Sequence, residues 1–297
     1  MDRRFFLTTG GIALATASSL SLASDKNRSY KTSSESVRRR TPTPTPTPTP
    51  ITAKSRVIVI GGGMAGATVA KYLRLWGDNI AVTLVEPNAS YTSNIMSNLV
   101  LNGSRTVAGL GYSYSSLVSK YGVTVKQAAL QSINKAAKTV ALSDGSVLPY
   151  DRLVLAPGIE FENAYGLTQS NYASQTPHAW HAGAQTTLLA SQLASMGNGK
   201  SVVLTIPKVP YRCPPGPYER ACLIAAHIKK NKIPGKIVIL DPKPKVAPIS
   251  MGYQTAFREL YPDIITHVPN AKVQELDPFR KRIKTTAGEF EFDDAII

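Results

Sequence analysis

Short apolar runs and amphipathic stretches alternate along this chain from residue 56 onward. Val57-Ile58-Val59-Ile60 is β-branched without interruption, which predicts a strand buried on both faces. It breaks into Gly61-Gly62-Gly63 and resumes as a helical pattern through Ala70, Tyr72 and Leu73. A second strand, Ala81 to Val85, ends at Glu86. Lys138–Leu142 and Ser146–Tyr150 flank the turn signal Ser143-Asp144-Gly145 and predict a β-hairpin. The following run, Asp151 to Leu155, predicts a buried strand ending in the tight turn Ala156-Pro157-Gly158. The rhythm then recurs, with a strand over Lys200–Ile206, a helix over Pro217–Lys230 and a strand over Lys236–Leu240 ending at Asp241. Residues 283–297 repeat the pattern of residues 140–154 at constant offset, Gly288 on Gly145, Asp294 on Asp151 and Ile296 on Leu153. The second copy stops in mid-strand, so the chain is expected to be truncated at its C-terminus. Strand, helix and strand twice over predict an α/β fold with two Rossmann-like, dinucleotide-binding units.

The first unit carries the fingerprint that such a unit needs. Gly61 permits the tight turn, Gly63 lets the backbone approach a pyrophosphate, and Gly66 lets the helix pack close to the strand. The phosphates then meet the helix start at Met64 and Ala65, where backbone N–H groups have no helical partner. Glu86 is placed to accept hydrogen bonds from an adenosine ribose, with Pro87 beside it. Residues 87–98, including Ser93, Ser97 and Asn98, form a polar loop long enough to wrap a ligand.

Charge alters this picture little. The formal net charge of the 297 residues is +15, but residues 1–56 hold ten Lys/Arg against three Asp/Glu, a net +7. The other +8 is spread without a basic helix or aromatic-interleaved patch, so nucleic-acid binding is not expected. Arg3-Arg4 before a modestly apolar run ending at Ala23 predicts a twin-arginine export signal over residues 1–23 and a periplasmic location. That run is too short and too weakly apolar to span a membrane comfortably, so no span is expected in the mature protein. Residues 24–54 read as a linker, with five Thr-Pro repeats from Thr41 to Pro50 acting as an extended spacer.

The second unit lacks the glycines. Pro207, Pro210, Cys213, Pro214 and Pro215 follow its first strand, and proline removes the donors that a pyrophosphate requires, so no nicotinamide cofactor is expected there. Cys213 precedes a helix start at Gly216-Pro217 and follows Arg212, a setting that favours a thiolate. Its spacing from Cys222 is unfavourable for a bridge, since the predicted helix puts them about 7 Å or more apart. Reactive and structural readings of Cys213 stay open on these residues alone. Glu219, in the first helical turn, suits either a proton donor–acceptor or a dipole-stabilising carboxylate. His178 and His181 have no further ligands at metal-site spacing; His178 and Trp180 read as packing residues, and no metal is expected.

Together the fingerprint, Ser90-Tyr91-Thr92, Ala156-Pro157-Gly158, Pro177-His178-Ala179-Trp180 and Arg212-Cys213-Pro214-Pro215-Gly216-Pro217-Tyr218-Glu219-Arg220 resemble the flavoprotein subunit of flavocytochrome c sulfide dehydrogenase. The resemblance runs from about Arg56 to the end. It implies a fold of the disulfide-reductase flavoprotein type, the first domain (55–165) interrupted by the second (166–285), with residues 286–297 beginning the return to the first. It also implies FAD on the first domain, held by Gly61, Gly63, Met64, Ala65, Gly66, Glu86, Pro87, Ser93, Ser97, Asn98, Ala156, Pro157 and Gly158. Cys213 is then a redox cysteine and Glu219 the acid–base carboxylate. The substrate is sulfide or a related sulfur compound, and the electron acceptor a c-type cytochrome subunit. Where the family has a flavin-linking cysteine this chain has Ser93, so non-covalent FAD is expected. The family's other redox cysteine falls beyond Ile297. A sulfide:quinone oxidoreductase-like enzyme and a non-catalytic FAD-binding protein are the alternatives.

Overall fold

The computed structural model describes residues 53–197 and 199–297. The export signal and the Thr-Pro repeats lie outside them. Of the expected linker, Lys54 is already tied to the fold: its N–H donates to the Asn79 carbonyl at 3.0 Å and its ammonium pairs with Asp78.

Strand β1 (Ser55–Ile60) leads through the glycine turn into α1 (Met64–Trp76) and β2 (Ile80–Val85). The loop after β2 contains β3 (Ser90–Thr92) and the short α2 (Asn98–Leu101). Strand β4 (Gly111–Ser113) returns to pair with β3, and α3 (Ser115–Tyr121) leads to β5 (Thr124–Lys126). Three antiparallel strands follow, β6 (Leu130–Asn134), β7 (Thr139–Leu142) and β8 (Val147–Pro149), and then β9 (Arg152–Leu155). The parallel sheet of this unit has the order β5-β2-β1-β9, with Val59 opposite both Leu84 and Val154. The last four residues of β1 are buried, as the unbroken β-branched run predicts.

Helices α4 (Gln169–Ser174) and α5 (Ala184–Ala194) lead to the second unit. It contains β10 (Ser201–Thr205), α6 (Gly216–Asn231), β11 (Lys236–Leu240), α7 (Ser250–Thr255) and β12 (Ile265–Val268). An antiparallel set β13 (Val273–Asp277), β14 (Arg282–Thr285) and β15 (Gly288–Glu291) precedes β16 (Asp294–Ile296). Along α6 the buried Ala221, Ile224, Ala225 and Ile228 fall at helical spacing and pack on Leu204, Ile237 and Ile239 of the sheet. Each fully buried aliphatic side chain contributes about 1.5–3 kcal/mol. Leu101 of α2 and Leu189 and Leu193 of α5 enter this same core, so the loop after β3 is anchored in the second unit.

Two expectations are corrected here. Residues 286–297 do not begin a return to the first sheet. Strand β16 pairs in parallel with β10, Val203 opposite Ala295 and Leu204 opposite Ile296, giving the order β12-β11-β10-β16. The repeat in the sequence is thus a repeat of position: β9 flanks β1 as β16 flanks β10, and Gly145 and Gly288 both have positive φ, +81° and +122°. The buried Ala295 and Ile296 fill the core of their own unit. Nor is β9 a buried strand. It forms one edge of its sheet, and Leu155 is 56% exposed.

The glycine turn constrains its own packing. A Cβ on Gly66 would lie 1.8 Å from the Gly61 carbonyl oxygen, whereas one on Gly63 meets nothing nearer than Tyr91 Cε2 at 3.9 Å. Gly66→Ala is therefore expected to destabilise the chain by on the order of 1–3 kcal/mol, as overpacking does, while Gly63→Ala leaves thermal unfolding unchanged. Differential scanning calorimetry of the two variants checks this.

Candidate functional site

The ends of β1, β2 and β9 converge on the glycine turn. Gly61 has φ +97°, and a Cβ there would lie 2.1 Å from the Ala156 carbonyl oxygen, so Ala156 and Pro157 run directly alongside it. Gly158 completes that second turn with φ +83°. Glu86 is buried at the end of β2, where one carboxylate oxygen accepts from the Gly62 N–H at 2.7 Å. The other accepts from the Asn88 backbone and side-chain amides at 2.9 and 2.7 Å. Pro87 follows, exposed, its carbonyl accepting from the Gln127 side chain.

A cleft of about 500 Å³ opens in front of this turn. Gly62, Gly63, Met64, Tyr91, Ser93 and Tyr114 are among the residues that line it. Helix α1 points its N-terminus here with no side-chain cap and no acidic residue in its first turn. Its unpaired N–H groups and positive dipole end are therefore left for an anion. Gly63, the N-cap, leaves open the volume that a Cβ would fill. These features fit the diphosphate of a dinucleotide. The arrangement brings Gly61, Gly63, Met64, Ala65, Gly66, Glu86, Ala156 and Pro157 to one end of the sheet. Ser93 is buried on the cleft, and its Oγ accepts from the Ile95 N–H at 3.2 Å. Ser97 is buried as the N-cap of α2.

Sequence reasoning did not single out Tyr114 or Arg105, which also line the cleft. The Tyr114 hydroxyl donates to the Gly62 carbonyl at 3.1 Å, and burial, with the Glu86 charge nearby, pushes its pKa up to about 12. The Gly111-Tyr112-Ser113-Tyr114 run is the only local signal for this wall.

Asn98 faces away from that cleft, toward a second cluster. Its side-chain oxygen accepts from Arg220 Nε at 2.9 Å. Arg220 is 1% exposed; it also donates to the carbonyls of His178 and, at 2.8 Å, Ala179, and its guanidinium stacks 3.4 Å over the Trp180 ring. Burial lowers its pKa to about 9, which leaves it a cation at neutral pH. Cys213 adjoins this cluster. It is a free, exposed thiol in a left-handed turn, φ +56°, whose carbonyl accepts from the Gly216 N–H at 2.9 Å. A Cβ placed on Gly216 would lie 3.1 Å from the Cys213 sulfur and 3.6 Å from the Trp180 ring edge. Glu219 is exposed in the first turn of α6. Cys222 is also free, half-buried, and raised to about 11 by burial and the Glu219 charge.

The corresponding end of the second sheet is filled by its own side chains. Asp241, at the end of β11, is fully buried and accepts from the Tyr218 hydroxyl, from His267 Nε2 at 3.1 Å and from the Lys243 backbone at 2.9 Å. The Lys243 ammonium lies 2.8 Å from the oxygen that accepts from the Lys243 backbone, while Tyr218 and His267 share the other. Burial acts to raise the Asp241 pKa, and these hydrogen bonds outweigh it, holding the group at about 2. Among the described residues no cluster of three or more His, Cys, Asp or Glu is arranged to hold a metal.

Two family models match successive parts of the chain. The family model for the pyridine nucleotide-disulphide oxidoreductases matches residues 55–199. The model for the central part of the sulfide dehydrogenase [flavocytochrome c] flavoprotein chain matches residues 186–296. The chain is 51% identical over 45 residues to the sulfide dehydrogenase flavoprotein chain of Chlorobaculum thiosulfatiphilum, which is 15% of this chain and 94% of that sequence. It is 25% identical over 237 residues to the sulfide-quinone reductase of Aquifex aeolicus, 75% of this chain and 52% of the relative. In structure it resembles the sulfide:quinone oxidoreductase of Aquifex aeolicus (TM-score 0.64, 21% identity, 81% of this chain and 57% of the other). It also resembles putidaredoxin reductase in its complex with putidaredoxin (TM-score 0.62, 21% identity, 82% and 58%). The chain thus spans little more than half the length of the larger relatives it matches. The fold is the α/β fold of the disulphide oxidoreductases.

His178 is buried between Phe161 and Tyr172, ring centroids 4.5 and 5.2 Å away, and its Nδ1 accepts from the Trp180 N–H at 3.1 Å. Burial, reinforced by the Arg220 charge, lowers its pKa to about 4. The unfolded chain binds the proton first, so stability falls as pH drops from about 6.5 toward 4. Thermal unfolding measured across that window is expected to show the fall, and His178→Phe to flatten it.

Proposed function

We propose that this chain, which matches the pyridine nucleotide-disulphide oxidoreductase model over residues 55–199 and is similar to a sulfide-quinone reductase, is an FAD flavoprotein oxidising sulfide or a related small sulfur compound at Cys213. The observation that carries the reading is Cys213 itself: an exposed free thiol, held in a left-handed turn at the start of α6, inside the segment matched by the sulfide dehydrogenase flavoprotein model.

FAD binds the first unit, its diphosphate at the α1 N-terminus and its adenosine ribose at Glu86. When bound, it supplies the two-electron acceptor. Cys213 receives the substrate sulfur: an S–S bond forms between the thiol sulfur and that of hydrosulfide, the S–H bond of each is lost, and the electron pair and one of the two protons would pass to the acceptor that FAD supplies. Glu219, in the turn after the thiol, takes up one of the released protons. Ser93 stands where the flavoprotein subunit of flavocytochrome c sulfide dehydrogenase has its flavin-linking cysteine, so the flavin is held without a covalent bond. The second unit takes no nicotinamide cofactor. Prolines occupy its phosphate turn, and Asp241 is enclosed by Tyr218, His267 and Lys243. The onward acceptor is a c-type cytochrome in the periplasm, reached by twin-arginine export. No described helix is long and apolar enough to cross a membrane.

A second reading, transfer to a quinone, draws on the sulfide-quinone reductase match over 75% of the chain. Reoxidation of the reduced protein by cytochrome c or by a soluble quinone separates the two.

Anaerobic mixing with sulfide is expected to bleach the flavin bands. Cys213→Ser should keep the flavin and lose the bleaching, and Glu219→Gln should slow it by about 10²-fold. Bleaching at the parent rate in Cys213→Ser would refute the assignment. Acid precipitation is expected to leave the flavin in the supernatant.

A further inference from the structure

Arg220 poses a physical problem. Removing a guanidinium from water costs several kcal/mol unless an anion compensates, yet no carboxylate bonds it among the described residues. Its acceptors are the Asn98 amide oxygen and the carbonyls of His178 and Ala179. What this cation does achieve is to hold Trp180 from two directions. Its flat face stacks on the indole at 3.4 Å, a contact strengthened by the absence of water, and its donors grip the two residues before Trp180 in sequence.

The edge of the held indole and the reacting thiol both border Gly216. A Cβ on Gly216 would lie 3.1 Å from the Cys213 sulfur and 3.6 Å from the Trp180 ring edge, so the two groups share one small space. Gly216 is buried and Cys213 is exposed.

We propose that Arg220 is the positioning residue for Cys213, acting through Trp180, and that the indole wall it fixes restricts the thiol to small sulfur species such as hydrosulfide. This rests on Cys213 being the reacting group. A bulky thiol needs space on the indole side, and that space exists only if Trp180 swings away.

The test needs no flavin, so its failure is distinguishable from failure of the sulfide reading. In a Cys222→Ser, Trp76→Phe background the chain has one thiol and one indole. Cys213 is alkylated with iodoacetamide and with bulky N-phenylmaleimide, at a temperature where circular dichroism is native. Arg220→Met is expected to shift Trp180 emission and to raise the ratio of bulky to small reagent rates several-fold. Arg220→Lys, which keeps the charge but not the planar stack, falls between. Trp180→Leu raises the ratio equally, and the double variant no further. A role confined to stability lowers the melting temperature and leaves the ratio untouched. If Arg220→Met does not fold, Trp180→Leu decides alone. An unchanged ratio in Trp180→Leu, or additive effects in the double variant, overturns the proposal.

Discussion

The buried guanidinium of Arg220 ties together segments that also share one apolar core. Asn98 lies in the loop after β3, His178 and Ala179 in the turn before α5, and Arg220 itself on α6. Hydrogen bonds to a charged group contribute about 1.5–3 kcal/mol each, and these offset a desolvation cost of similar size. The net gain is small, and the constraint is severe. Loss of the cation leaves two buried carbonyls and the half-buried Asn98 side chain without this donor and frees the indole. The loop after β3, the turn before α5 and the start of α6 are therefore parts of one arrangement.

The two units share a topology and differ in chemistry at the same place. In the first, Glu86 ends the second strand with its carboxylate on the Gly62 N–H, and the cleft before the α1 N-terminus stays open. In the second, Asp241 ends the equivalent strand and is taken by Tyr218, His267 and Lys243. One site is built to accept a ligand at the sheet's switch point, and the other is closed by its own side chains. Function follows the side chains at that point rather than the fold that carries them.

Much of this was legible in the sequence because it is local. An unbroken β-branched run is a buried strand wherever it occurs, and the glycine turn declares its backbone needs through residue type alone. What depends on distant partners was not legible. Arg220, in a helix that also carries Lys229 and Lys230, looks like a surface residue until Trp180 and Asn98 cover it. The exposure of Leu155 follows from the edge position of β9, which no neighbouring residue encodes. Strand β16 shows a partial reading: the repeat was visible, but its meaning, the same place in its own sheet, appeared only with the pairing to β10.

The central claim is that a substrate sulfur is bonded to Cys213 as electrons leave it. Mass spectrometry of the Cys213 peptide, taken from flavin-loaded protein mixed with sulfide in the absence of oxygen and any acceptor, tests this most directly. The account predicts a peptide heavier by one sulfur atom, appearing with loss of the oxidised flavin bands. An unmodified Cys213 alongside a fully reduced flavin would contradict it.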